Sequence, residues 1–434
     1  MKLVSLLACL ALAPGCADKK KQSIDMPPSR SPTPAPSPSP TPAPKPADMP
    51  AAADVAPLAT ASNTFAFELW RKAAPAGNAA MSPASITTAL AMTWGGAKAG
   101  TADEMRQTLH LPGDPEVVMT MWGQLSRALQ DPRRPMTLRI ANRLFGEKDF
   151  KLEAPFVERT RDAYGAPIEA MDFKTAPDAA RASINTWVAK QTEQRIKDLL
   201  PPRSITEDTR LVLVNAIYFL ADWATQFEKV STVDRPFHVS ATDKRDVPTM
   251  HQQTFLKLAK VEGVKVLELP YKGGAAMLVI LPDKVDGLAA VEQSLDAAKL
   301  DAWRKALADN GKVMVALPKF TIDPPAAMEL VPALKQLGMT LAFDPKTADL
   351  TGIGVPPDPS RRLFISAVFH KAFVKVDEKG TEAAAATAVV VAEGAGAAPS
   401  QPEPFIADHP FLFAIVDQST GLILFLGRVV EPKA

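Results

Sequence analysis

The sequence predicts a mixed α+β fold, and three observations carry that prediction. Helix-start signals alternate with strand-like runs; residues 210–220 form a continuous apolar run rich in Val and Ile, as a strand buried on both faces shows; and two hairpin patterns bracket glycine-containing turns. No repeat at a fixed period is visible. The chain has 434 residues, of which about the first 60 read as non-globular, leaving about 370 to fold. That is above the common size of one domain, so length alone suggests two.

From the N-terminus, one positive charge at Lys2 precedes an apolar run over residues 3–13 and then Ala13-Pro14-Gly15-Cys16. Such a core is too short to span a bilayer and reads as a secretory signal. Its Gly15-Cys16 ending resembles a bacterial lipoprotein signal, in which Cys16 is lipidated and becomes the mature N-terminus, although Ala13 and Pro14 depart from that motif. An ordinary signal peptide cut nearby is the alternative. Residues 26–57 are a run of Pro, Ala, Ser and Thr that cannot bury a core. Polyproline II at about 3.1 Å per residue makes it a tether of roughly 100 Å. The expected organisation is a signal at 1–15, a tether at 16–60 and one folded domain at 61–434. The protein is expected to be exported and anchored to a bacterial membrane by its lipid, or otherwise to be periplasmic or extracellular.

In the folded part, Ser82 before Pro83 reads as an N-cap followed by proline at the first helical position. Thr101-Ala102-Asp103-Glu104 fits the capping box of the next helix. Residues 178–196 carry a long helical pattern, and 210–220 are the buried strand. Residues 264–270 and 275–282 bracket Lys272-Gly273-Gly274 as a hairpin, and 412–416 with 422–430 form another around Ser419-Thr420-Gly421.

Composition and motifs exclude several functions. With 49 basic and 48 acidic residues the net charge is +1, and no basic run exceeds Lys19-Lys20-Lys21, which argues against nucleic acid as a partner. Cys9 lies in the signal core, so beyond Cys16 no cysteine is left for a disulfide or a metal. The five histidines show no His-Glu-x-x-His spacing, no Gly-x-Ser-x-Gly elbow occurs, and there is no phosphate loop. The expectation is a non-enzyme with no metal and no cofactor.

The most informative stretch is Glu378-Lys379-Gly380-Thr381-Glu382-Ala383-Ala384-Ala385-Ala386, continuing to Val391. Lys375, Asp377 and Glu378 make it look exposed, yet it carries a strand's worth of small and β-branched residues without proline. As a strand it would put Thr381, Ala383, Ala385, Thr387, Val389 and Val391 on one face, with Glu382 starting the other. Alanine runs also favour helix, so composition alone leaves the choice open.

This stretch closely resembles the reactive-loop hinge of the serpins. Other blocks follow the family order: Asn78 to Ile86 resembles the start of the second helix, Asn215-Ala216-Ile217-Tyr218-Phe219 with Trp223 a central strand, residues 363–372 the strand leading to the loop, and 405–413 the C-terminal signature. The resemblance spans roughly 62–430. It implies one domain of three β-sheets surrounded by about nine helices, with an exposed reactive-centre loop. It also implies a suicide-substrate inhibitor that traps a serine, or else a cysteine, endopeptidase as an acyl-enzyme when the cut loop inserts into the main sheet. A non-inhibitory binding protein of the same fold is the alternative, with a hydrolase far behind.

The resemblance assigns the hinge to Glu378, Gly380, Thr381, Glu382 and Ala383 to Ala386, with Ala384 and Ala385 between. Gly380 gives that hinge rotational freedom. Ser82, Ser85, Asn215 and His370 fall in the shutter, where the central strands part, and Trp223 in the breach, where the loop first enters. On its residues alone, His370 reads as a satisfied core histidine. Standard loop length puts the scissile bond at Gly394-Ala395, while a longer loop here admits Val391-Ala392 or Ala392-Glu393. All present small residues, which points to elastase-like or subtilisin-like targets. The expected species is a monomer whose partners are that protease and, through the lipid, a membrane.

Overall fold

The computed structural model describes residues 50–358, 360–381 and 401–434. Among them are nine α-helices: α1 (Ala52–Ala73), α2 (Pro83–Trp94), α3 (Ala99–Thr108), α4 (Pro115–Leu129), α5 (Ala154–Tyr164), α6 (Pro177–Gln191), α7 (Leu288–Ser294), α8 (Ala297–Lys305) and α9 (Val331–Gln336). The strands form three sheets. A nine-stranded sheet runs in the order β1 (Ala79–Met81), β18 (Ile423–Val429), β17 (Phe411–Asp417), β9 (Ala275–Pro282), β8 (Val264–Pro270), β7 (Lys244–Val261), β10 (Ala308–Pro318) and β16 (Glu403–Ile406), with β6 (Val233–His238) paired to β7. A seven-stranded sheet runs β11 (Phe320–Ile322), β14 (Ile365–Val376), β15 (Gly380–Thr381), β5 (Leu211–Asp222), β2 (Met136–Glu147) and β4 (Glu169–Met171), with β12 (Met328–Glu329) on β14. The third is the pair β3 (Lys151–Leu152) and β13 (Gly354–Val355).

The apolar run at 210–220 becomes β5, and its burial on both faces follows from the alternation of side chains along a strand. Leu211, Leu213, Ile217, Phe219 and Ala221 enter the main core, whereas Val212, Val214, Ala216 and Tyr218 enter a second one roofed by Ala180, Ile184 and Val188 of α6. Asn215 is the polar exception on the main-core face, which makes it the residue to explain. Both predicted hairpins form, as β8 with β9 and β17 with β18. Ser82 caps α2 by accepting from the Ser85 N–H, with Pro83 at the first position.

Three expectations are corrected. α1 opens at Ala52, inside the stretch assigned to the tether, because Val55, Leu58 and Ala59 already bury an apolar face there. Thr101 does not cap α3, which begins at Ala99. Its hydroxyl accepts from the Asp349 N–H at 3.0 Å, and the Glu104 carboxylate takes the Thr340 and Leu341 N–H groups at 2.6 and 2.7 Å. Both side chains thus serve a distant turn instead of their own helix. The helix predicted over 178–196 stops at Gln191, since Glu193 and Gln194 take left-handed backbone conformations (φ +49° and +65°) that no helix continues through.

Candidate functional site

The site lies along the seam between β14 and β5. These strands pair in parallel from Ile365 opposite Leu211 to Phe373 opposite Tyr218, and then diverge. A turn over 377–380, closed by the Asp377 N–H to the Gly380 carbonyl at 2.9 Å, reverses the chain and lays β15 into the gap. Thr381 pairs with Val376 of β14 and Ala221 of β5, and Gly380 with Asp222, all antiparallel. The sheet is therefore a two-strand pair below and a three-strand ladder at one end.

Gly380 is required by this approach. A Cβ built on it would stand 2.0 Å from the Ala221 carbonyl oxygen, inside any contact distance, so strand spacing at the split depends on the missing side chain. Thr381 is fully buried, and its hydroxyl meets the Tyr271 hydroxyl at 2.6 Å. Tyr271 stacks on Trp223 with ring centroids 4.3 Å apart and planes 11° from parallel. Burial pushes the Tyr271 phenol well above its usual pKa, so it stays a neutral hydrogen-bonding group. Trp223 in turn holds the turn itself: its indole N–H donates to the Asp377 carbonyl at 3.0 Å and its backbone N–H to the Lys379 carbonyl at 2.8 Å.

Glu378 corrects the sequence reading, in which this charge looked exposed. It is 5% exposed, with Lys319 Nζ at 3.0 Å and the Thr232 hydroxyl at 2.9 Å, and the Phe227 N–H donates to its backbone carbonyl at 2.9 Å. Burial works to raise its pKa, but hydrogen bonds from its own backbone, Lys319 and Thr232 together outweigh that and hold the carboxyl below its usual range.

Further down the seam a buried polar network crosses it. His370, Asn215 and Asn142 sit opposite one another on β14, β5 and β2. The Ser82 N–H donates to His370 Nε2 at 3.0 Å, which leaves Nδ1 to carry the proton and donate to Asn215 Oδ1. Asn215 Nδ2 donates to Ser85 Oγ at 2.6 Å and to Asn142 Oδ1, while Asn142 Nδ2 donates to the Ser85 carbonyl at 3.0 Å. Desolvation drives the His370 pKa down to about 3, so the ring is neutral and one tautomer satisfies both neighbours.

The structure thus gathers Ser82, Ser85, Asn215 and His370 in one network and Trp223 with Glu378, Gly380 and Thr381 in another, at the split end of the same strand pair. Glu382, Ala383, Ala384, Ala385, Ala386, the candidate bonds over 391–395 and Cys16 lie outside the described residues. Sequence reasoning missed Asn142, Tyr271, Lys319 and Thr232. Of these only Asn142 left a local signal, a lone amide at an inward position of a strand-like run.

A family model described as Serpin (serine protease inhibitor) matches residues 60–432. The chain belongs to the serpin family. This serpin is 38% identical over 389 residues to the leukocyte elastase inhibitor of Equus caballus, a match covering 86% of this chain and 99% of that protein. It is 41% identical over 383 residues to human serpin B9, with 86% and 99% covered. Among solved structures, human thyroxine-binding globulin complexed with its hormone superposes with a TM-score of 0.78 at 30% identity, covering 88% of this serpin and all of that chain, 100%. In this serpin the seven-stranded sheet carries the seam between β14 and β5.

Proposed function

We propose that this serpin inhibits a serine endopeptidase as a suicide substrate, its cut loop inserting between β14 and β5 while the protease is still an acyl-enzyme. The observation that carries this reading is β15. Thr381 and Gly380 already occupy the first rung of the slot, antiparallel to both neighbours, so residues that follow continue a ladder that is already begun. Parting β14 from β5 breaks one ladder, and a strand inserted between them makes two. At about 1 kcal/mol net per hydrogen bond, the gain over a strand's length is several kcal/mol, before the burial of Val389 and Val391 is added. Alanines at 383–386 let the sheet open without bulky side chains passing through it.

The candidate scissile bonds Gly394-Ala395, Val391-Ala392 and Ala392-Glu393 carry small residues, and no Lys or Arg lies between Lys379 and Arg428. Elastase-like or subtilisin-like proteases fit them. The names of the relatives, leukocyte elastase inhibitor among them, support the same direction. The likeness to thyroxine-binding globulin keeps a non-inhibitory binding role as the second reading. Incubation with a protease panel separates them on a denaturing gel. A denaturant-resistant complex near one-to-one stoichiometry supports the inhibitor, and cleavage without a complex supports the binder.

A further inference from the structure

β2 pairs with β5 along its inner side from Met136 to Gly146, but β4 covers its outer side only from Phe145 onward. Short of Phe145 the outer edge carries no strand. The Ile140 N–H points to that edge, where the Gln130 side chain of α4 caps it at 2.9 Å. In an antiparallel pair the N–H and C=O of one residue point the same way, and residues two apart repeat the direction. Asn142 therefore turns both of its backbone groups outward as well. It lines a cavity of about 190 Å³ that is walled by Ser126 of α4, Tyr164 of α5 and Trp187 of α6. Two donors in that wall, the Tyr164 hydroxyl and the Arg143 Nε–H, are buried without a hydrogen-bond partner among the described residues. Such groups are rare in a folded protein and call for an occupant. Burial pushes the Tyr164 phenol well above its usual pKa, so the hydroxyl keeps its proton. Arg143 is held in place from its other end, where Nη1 donates to Glu169 and the guanidinium carbon sits 4.6 Å from the Trp187 ring centroid. Gln130 is no substitute partner, since its amide is spent on Ser126 and Ile140.

We infer that this cavity binds the C-terminal residue of a small peptide, which extends the sheet by one residue at Asn142. The pattern of groups selects that chemistry. An extended residue presents its N–H and C=O on one side, so when it lies antiparallel to Asn142 it exchanges both bonds with it. A C-terminal carboxylate then supplies one oxygen to the Asn142 N–H and a second to Tyr164 and Arg143. Charge-assisted bonds of this kind are stronger than those a neutral carbonyl makes. Size sets the rest of the ligand. Pockets for whole small molecules measure about 300–1,000 Å³, so this smaller one takes a single small residue. The remainder of the peptide leaves past Gly165 and Gln191, which line the cavity and are exposed. The site stands whether or not the chain traps a protease.

The test titrates the full chain with acetyl-dialanine as probe and reads binding by ligand-observed NMR. The probe should bind saturably at one site per chain. Acetyl-dialanine amide lacks the carboxylate and acetyl-alanyl-proline lacks the last N–H, so each should bind weaker by about fivefold or more, the worth of one hydrogen bond. Tyr164→Phe removes an unpartnered buried hydroxyl, so the free protein should melt no lower than the wild type while probe binding falls by about fivefold or more. A purely structural tyrosine would not separate those two readouts. Arg143→Lys keeps a positive charge beside Glu169 without the Nε–H and should weaken the probe in the same way, which covers a Tyr164 variant that does not fold. Equal affinity for the three ligands, affinity within about twofold of wild type in both variants, or no saturable binding overturns the site. So does a probe-soaked crystal whose cavity holds water alone.

Discussion

Lys319 reaches the buried Glu378 carboxylate at 3.0 Å, and through it the base of the proposed loop is tied to the segment joining β10 to β11. The pair sits one turn away from Thr381, so it fixes where the chain enters the slot.

Lys319→Met leaves the carboxylate buried with only Thr232 and its own backbone. Breaking a fully buried pair costs 3–5 kcal/mol, and because the Lys319 ammonium keeps partial contact with water a loss of about 2 kcal/mol is expected here. The pH dependence gives a second check. The folded-state pKa of Glu378 is depressed, so its contribution is present above the usual value of 4.5 and is lost as pH falls through the lower folded value. Denaturation midpoints of the uncut protein should show this acid-side loss in the wild type and much less of it in Lys319→Met.

His370 titrates in a different window. Its pKa falls from 6.5 to about 3 on folding, so between those values the unfolded chain binds a proton that the folded chain does not. Stability from this group is therefore complete above pH 6.5 and declines by about 1.4 kcal/mol per pH unit below it. His370→Leu should be less stable at pH 7, because it orphans the Ser82 N–H and Asn215 Oδ1. It should also lack that slope from pH 6.5 downward. Denaturation curves at pH 7.5, 6 and 5 decide it, above the range where the Glu378 contribution changes with pH.

How far the sequence revealed this site depends on whether each residue acts locally. Ser82 and Pro83 announce the α2 start because a cap and its helix are adjacent in sequence. β5 announces itself because burial on both faces writes an uninterrupted apolar run. Asn142, Tyr271 and Lys319 reach the seam from β2, from the turn after β8 and from the segment after β10, and nothing in their neighbourhoods encodes that convergence. Thr101 misled for the same reason: its partner, Asp349, is far along the chain. The start of α1 was hidden because Val55 and Leu58 stand in a background of alanine and proline that reads as tether.

The N-terminal reading makes its own prediction. If Cys16 is lipidated, metabolic labelling with a fatty acid in a bacterial host should mark the wild type and leave Cys16→Ala unmarked. An unlabelled wild type removes the membrane from the list of partners and leaves an ordinary exported protein.

Cleavage should stabilise the protein if the slot between β14 and β5 accepts a strand. A cut between Val391 and Ala398 frees the residues after Thr381 to extend β15 toward the His370–Asn215 pair. The melting temperature should rise well beyond the few degrees that 1 kcal/mol gives. An equal or lower value after cleavage means that the seam stays closed.

Thr381 tests where insertion begins. Its side chain is fully buried against the Tyr271 hydroxyl, so Thr381→Arg must either bury an unpaired guanidinium or withdraw β15 from the slot. Withdrawal costs only two rungs of ladder, and the fold should survive. Insertion then has to carry the charge past Ala221 and Val376, at a barrier several kcal/mol higher, and each 1.4 kcal/mol slows it about tenfold. Deacylation is untouched by the change and wins the race. The variant should therefore fold, be cut at the wild-type rate and release active protease, with a stoichiometry far above one. Glu382→Arg, on the opposite side in a strand continuing β15, should keep most of the inhibition. A Thr381→Arg protein that still traps protease at wild-type stoichiometry would show that insertion does not start at this rung.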